Sequence, residues 1–139
     1  MYYERYVTMG RFVFTILLII HGLAHISGFL SAWTTADLGY TDRPWLLSTG
    51  ITLQSTVGRI FGLLWLVVAA GFVGVGLGLL FRQDWWPVLA VAAAAISLVV
   101  IVPWWRTVPP GAWAGAVFDV LVIIAMITPL KAHLLDLVG

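Results

Sequence analysis

Two histidines four residues apart, His21 and His25, stand in the apolar run ILLIIHGLAHISGF, and a single acid, Asp119, stands in AVFDVLVIIAM. On a helix an i, i+4 spacing puts both rings on one face, and Gly22, Ser27 and Gly28 keep the backbone around them slim. Imidazole titrates near neutrality and can donate or accept a hydrogen bond; a carboxylate beside it can orient the ring or balance its charge. An aspartate at the centre of a spanning helix costs about 2.5–3.5 kcal/mol on insertion scales. Such a residue is expected to face other helices and to have a partner, and Arg59, in GRIFG, is the nearest candidate.

Three chemistries compete for the histidines. HxxxH matches metal-ligand spacing, yet a metal wants a third or fourth ligand and only Asp119 is available inside the apolar runs. A bis-histidine haem needs rings on facing helices, whereas these share one and His133 lies in the tail. Metal and haem therefore fit less well than proton handling, or hydrogen bonding to a buried lipophilic ligand such as a quinone.

The elements that must position these groups follow from composition. Of 139 residues, 62% are hydrophobic and 9% charged, the mean hydropathy is +1.05, and soluble domains carry roughly 25% charged residues. The bilayer is the expected solvent. A spanning helix needs about 20 mostly apolar residues, and four runs qualify at about 12–33, 60–81, 87–103 and 113–130. The fold class expected is an all-α, four-helix transmembrane bundle forming a single domain over 1–139. The apolar run near the N-terminus exceeds a signal-peptide core and is read as a retained helix. Absence of cysteine removes disulfides, thiolate metal sites and CxxC redox chemistry. A net charge of +1 without a clustered basic face argues against nucleic acid.

The connection at about 34–58 is the longest, and its apolar residues Trp45, Leu46, Leu47, Ile51 and Leu53 suit it to cap the bundle mouth. With alternating helix direction and about 1.5 Å of rise per residue, His25, Arg59, Ser97 and Asp119 all fall in the half of the bundle bearing that connection, and His21 lies one turn deeper. Trp65, well inside the second run, could join them, as could Ser31. Trp33, Trp45, Trp104, Trp105 and Trp113 are expected in an outer interfacial belt, with Trp85, Trp86, Tyr2, Tyr3 and Tyr6 in an inner one. The Lys and Arg count slightly favours both termini in the cytoplasm. The glycine and alanine spacings in GRIFG, GVGLG and GAWAG are expected to serve close helix packing, and PLKAHLLDLVG, after Pro129, is expected to fray along the inner interface.

The stretch GRFVFTILLIIHGLAHISGF resembles the opening of DoxX-like proteins, small bacterial four-helix membrane proteins whose first helix often begins with Arg and carries a His-Gly-x-x-Lys pattern. Arg11, His21 and Gly22 match, while His25 stands where that family usually has lysine. The run from Gly58 to Val100 also looks like the family's second and third helices, although Arg59 stands where an acid is frequent. The resemblance implies a four-helix bundle in a bacterial inner membrane, associated with membrane oxidoreductase systems including quinone-linked sulfur or thiol metabolism.

The sequence thus supports a polar-lined intramembrane pocket for a lipophilic small molecule, quinone- or isoprenoid-like, built from His21, His25, Arg59, Ser97, Asp119 and Trp65. Two readings of other classes stand beside it. One is an accessory subunit that packs its Gly/Ala faces against a larger membrane complex. The other is a proton-coupled exporter acting as a homodimer, with Asp119 or His25 as carrier.

Overall fold

The computed structural model of the chain describes residues 2–47, 50–106 and 111–138, and the side chains from residue 5 onward. Tyr2 and Tyr3, assigned above to the inner belt, therefore lie outside the described side chains, and Ser48 and Thr49 of the long connection lie outside the described residues. Among the described residues the fold is helical and contains no strand.

The first apolar run becomes two consecutive pieces, α1 (Tyr2–Ala24) and α2 (Ile26–Trp33), meeting at His25. Together they give a 29-residue apolar segment, Arg5–Trp33. The helix begins ten residues before the expected start because hydropathy marks only the greasy part of a helix, whereas Arg5, Met9 and Arg11 are good helix formers. α3 (Thr56–Leu80) is opened by Ser55, whose hydroxyl accepts from the Gly58 N–H at 3.2 Å, the usual work of an N-cap serine. α4 (Trp86–Ile101) continues through a 3-10 turn, Val102–Trp104. α5 (Gly111–Ile127) is followed by α6 (Leu130–Val138), bent by 98° from it at the Pro129 break. The first run, α3 and α4 are long and apolar enough to cross a membrane, and α5 joins them only when paired with α6.

α6 corrects the expectation of a frayed tail. Leu134, Leu135 and Val138 turn toward the bundle, the Arg11 Nε–H donates to the Val138 carbonyl at 2.9 Å, and the backbone of Gly10 is so close that an added Cβ would lie 2.7 Å from the Leu137 carbonyl oxygen. A cation at the carbonyl end of a helix is favoured by the helix dipole. Arg11, a matching residue of the DoxX-like resemblance, thus has a structural task in this chain.

α3 is the central element, packed on α1, α2 and α4, while α5 packs on α4 and α6 returns from α5 to α1. Small residues set the closest of these approaches. A Cβ on Gly22 would meet Phe72 Cβ at 2.8 Å, and one on Gly62 would meet Ala32 Cβ at 2.7 Å. Without a hydrophobic effect between helices in lipid, such close approach is what van der Waals association requires. Phe72, Trp65 and Trp104 are buried at the centre, so Trp104, and likewise Trp86, belong to the core where an interfacial belt was expected.

The connection lies against the mouth of the bundle. The Trp45 indole N–H donates to the Val102 carbonyl at 2.6 Å and its backbone N–H to the Pro103 carbonyl at 3.0 Å. Leu53 is buried, and Tyr40 sets its ring edge-on to Trp65.

Candidate functional site

His21, His25, Ser97 and Asp119 form one hydrogen-bonded network across α1, α4 and α5. His21 Nε2 lies 2.9 Å from Asp119 Oδ1. The other carboxylate oxygen, Oδ2, is 2.5 Å from the Ser97 hydroxyl, which is 2.8 Å from His25 Nε2. Asp119 and Ser97 are 0% exposed and the His21 side chain 11%. Among the described residues Asp119 has a histidine and a hydroxyl for partners. The two imidazoles meet edge-on with centroids 4.9 Å apart, and Phe72 and Phe118 pack against His21.

The last contact of the network explains the break in the first run. His25 Nδ1 lies 3.0 Å from the His21 carbonyl, an acceptor only, so the ring N–H donates there. In an uninterrupted helix that carbonyl would take the backbone N–H of residue 25; here the His25 N–H goes instead to the Gly22 carbonyl at 3.1 Å, one residue tighter. A side chain has displaced a ladder bond and left a short 3-10 turn, the kind of local irregularity that recurs at functional positions. With Nδ1 committed, Nε2 is the nitrogen that faces Ser97. Hydrogens fit the network in two ways: Ser97 donates to the Asp119 carboxylate and accepts from the Nε2–H of a His25 imidazolium, or a protonated Asp119 donates to Ser97, which donates to the bare Nε2 of a neutral His25. The single serine proton makes the two directions exclusive.

Beside the network lies a cavity of about 410 Å³. Residues of α1 and of α5 line it, and the His21–Asp119 contact bridges the two helices. Leu17, Ile20, Ala24, Ala114, Gly115 and Phe118 form its apolar walls, Trp65 and Trp104 its back, and His21, His25, Ser27 and Tyr40 supply the polar atoms. Tyr40 reaches in from the connection and shares a 3.1 Å hydrogen bond with Ser27. Burial pushes the Tyr40 phenol above its ordinary value, and the Ser27 bond offsets part of that shift. A volume in the range of about 300–1,000 Å³, apolar walls and a few convergent polar groups are the usual attributes of a small-molecule site.

Of the residues singled out in the sequence, the structure unites His21, His25, Ser97 and Asp119, and it sets Trp65 in the cavity wall. Arg59 is a correction. It is exposed, with its guanidinium 5.6 Å from the centre of the Trp33 ring, and Asp119 is paired with His21 instead. The buried stripe of α3 runs through Gly58, Gly62, Trp65, Ala69 and Phe72; position 59, about 100° around the helix from 58, falls off it. Ser31 lines a separate polar cavity of about 150 Å³ under the connection, with Asp37, Asp42 and Gln54. Sequence reasoning missed Tyr40, Ser27 and Phe118. Phe118 was signalled by its place beside Asp119, but nothing in the spacing of Tyr40 distinguishes it from any other tyrosine in a connection.

Comparison with protein-family models, with curated proteins and with solved structures finds no match to this chain.

Proposed function

We propose that the protein is a four-span membrane protein that binds a lipophilic small molecule with a polar head, quinone- or isoprenoid-like, in the cavity between α1 and α5. The observation that carries this reading is the cavity's construction. Its walls are apolar, its polar atoms are gathered at the two histidines, Ser27 and Tyr40, and two apolar helices, α1 and α5, supply most of its lining. A ligand dissolved in the membrane would keep its chain against Leu17, Ile20 and Phe118 and set its head on the polar wall. At 17 residues α5 is within the range that spans the hydrocarbon layer, and α6, turned by 98°, then lies along the surface on the side of the N-terminus. The slight positive bias of that side makes it the cytoplasmic one.

The test is direct titration of the purified protein with decyl-benzoquinone, read as quenching of tryptophan fluorescence, since Trp65 and Trp104 line the cavity. A Cβ at Gly115 would meet Ile101 at 3.4 Å and His21 at 3.6 Å, ordinary contacts, so Gly115→Leu fits its first carbon and sends the rest into the cavity. Saturable quenching that Gly115→Leu weakens at least tenfold is expected. Quenching that is linear in probe, or identical in the variant, would refute the reading.

A further inference from the structure

We propose that His21, His25 and Asp119 form a binding site for a divalent first-row transition metal, with an open coordination position turned into the cavity. The proposal stands apart from the lipophile reading, because metal binding is measured with no lipophile present.

Four observations carry it. The first is convergence: one ring nitrogen from each histidine and one carboxylate oxygen lie within 4.8 Å of one another. Metal–ligand distances of about 2.1 Å in a tetrahedral site put ligand atoms about 3.4 Å apart. The 2.9 Å between His21 Nε2 and Asp119 Oδ1 therefore has to open by about half an ångström, while the wider separations close. The third ligand that the sequence spacing left in short supply is thus at the site.

The second is the surrounding support. Metal-binding histidines characteristically donate their other ring N–H to a backbone carbonyl or carboxylate, which fixes the tautomer and the ring. His25 does this through Nδ1 to the His21 carbonyl at 3.0 Å, and the helix gives up a ladder bond to allow it. Ser97 holds the second oxygen of the carboxylate at 2.5 Å, the corresponding support for Asp119.

The third is charge. Asp119 is wholly buried, and buried charges are paired or bound to metal. Among the described residues its ion-pair partner is His21, and no Lys or Arg stands against it. A divalent ion would supply the missing positive charge.

The fourth is access. Both histidines line the cavity, so three protein ligands leave a position facing open space, the arrangement of catalytic sites and unlike the closed four-ligand structural kind. Two imidazoles, one carboxylate and no sulfur select Zn²⁺, Fe²⁺ or Co²⁺ over Cu⁺ and over Ca²⁺ or Mg²⁺. An oxygen of a bound head group is what the open position would take.

The experiment uses the full chain in mild detergent, stripped with chelator and titrated with Co²⁺, read as the visible bands of a four- or five-coordinate ion. One Co²⁺ per chain is expected, displaced stoichiometrically by Zn²⁺. His25→Ala and Asp119→Asn should abolish the bands, Ser97→Ala should weaken binding by about 10–100-fold as loss of outer-sphere support does, and His133→Ala, exposed on α6, should change nothing. Circular dichroism and gel filtration report whether each variant is folded, and the wild-type spectrum alone decides the matter if one is not. Absence of bands in the wild type at stoichiometric Co²⁺, or bands that persist in folded His25→Ala, would overturn the proposal.

Discussion

Ser97→Ala removes one oxygen atom and should be among the most costly single-atom changes in the protein. That oxygen makes two contacts, 2.8 Å to His25 Nε2 and 2.5 Å to Asp119 Oδ2, and it joins three helices at a site closed to solvent. Interhelical hydrogen bonds in membranes average about 0.6 kcal/mol and reach about 1.7, so two of them contribute roughly 1–3 kcal/mol. The deletion also leaves an imidazole nitrogen and a carboxylate oxygen facing a methyl group. A buried group stripped of its partner costs about 1–3 kcal/mol in proteins generally, and the membrane reference state, in which freed groups find other partners, holds that term to the low end. The expected loss is about 2–4 kcal/mol, or about 30- to 700-fold in the unfolding equilibrium. Reversible unfolding in bicelles by steric trapping measures it. Thr128→Val is the control, because that hydroxyl, one residue past the end of α5, bonds the Ile124 carbonyl one turn back and bridges no helices, and its loss should shift stability by less than about 0.5 kcal/mol. A Ser97→Ala cost no larger than the control's, or a Ser97/Asp119 double-mutant cycle that is strictly additive, would refute the network as described.

Three further outcomes follow from the same geometry. In His25→Ala the His21 carbonyl regains the backbone N–H of residue 25, so α1 and α2 should fuse into one continuous helix; amide exchange at residues 25–28 should slow, and unchanged or faster exchange would count against the cause assigned to the break. Gly10→Leu places a side chain against the Leu137 carbonyl, backbone that cannot step aside, so α6 should swing off α1; faster proteolysis after Pro129 with the spanning helices intact is expected, and unaltered cleavage would contradict the packing. Because burial raises the Tyr40 phenol, the folded state holds its proton more tightly than the unfolded chain, and its contribution to stability is intact below pH 10 and lost as pH climbs through the raised value. The wild type should therefore weaken above pH 10 by a step that Tyr40→Phe lacks, and identical alkaline profiles would show the phenol is not held in this way.

The long apolar helices were legible from hydropathy, and the polar cluster from its contrast with them: in a chain this apolar, every polar residue inside a run is an exception that must find a partner. Depth counting at a fixed rise per residue put His25, Ser97 and Asp119 at one level, and the structure bonds His25 and Asp119 through Ser97. Rotation about the helix axis was harder to read. Arg59 shares the expected depth but points off the buried stripe of α3, and no hydropathy profile of an almost uniformly greasy helix shows which 100° sector faces inward. Depth alone therefore suggested the wrong partner for Asp119. α6 was hidden because Lys131, His133 and Asp136 make its segment look like a solvated tail, while its docking depends on a glycine and an arginine more than 120 residues away, Gly10 and Arg11. The break at His25 was invisible, since it arises from a ring competing for its own helix's carbonyl.

The occupant of the cavity between α1 and α5 is the most direct test of a binding role. Native mass spectrometry of the protein released gently from the membranes in which it is made, wild type beside Gly115→Leu, weighs that occupant. A lipophilic molecule bound one to one in the wild type and missing from the variant is the predicted result. A bare chain in both, or the same adduct surviving in Gly115→Leu, would contradict the claim that the cavity is a binding site.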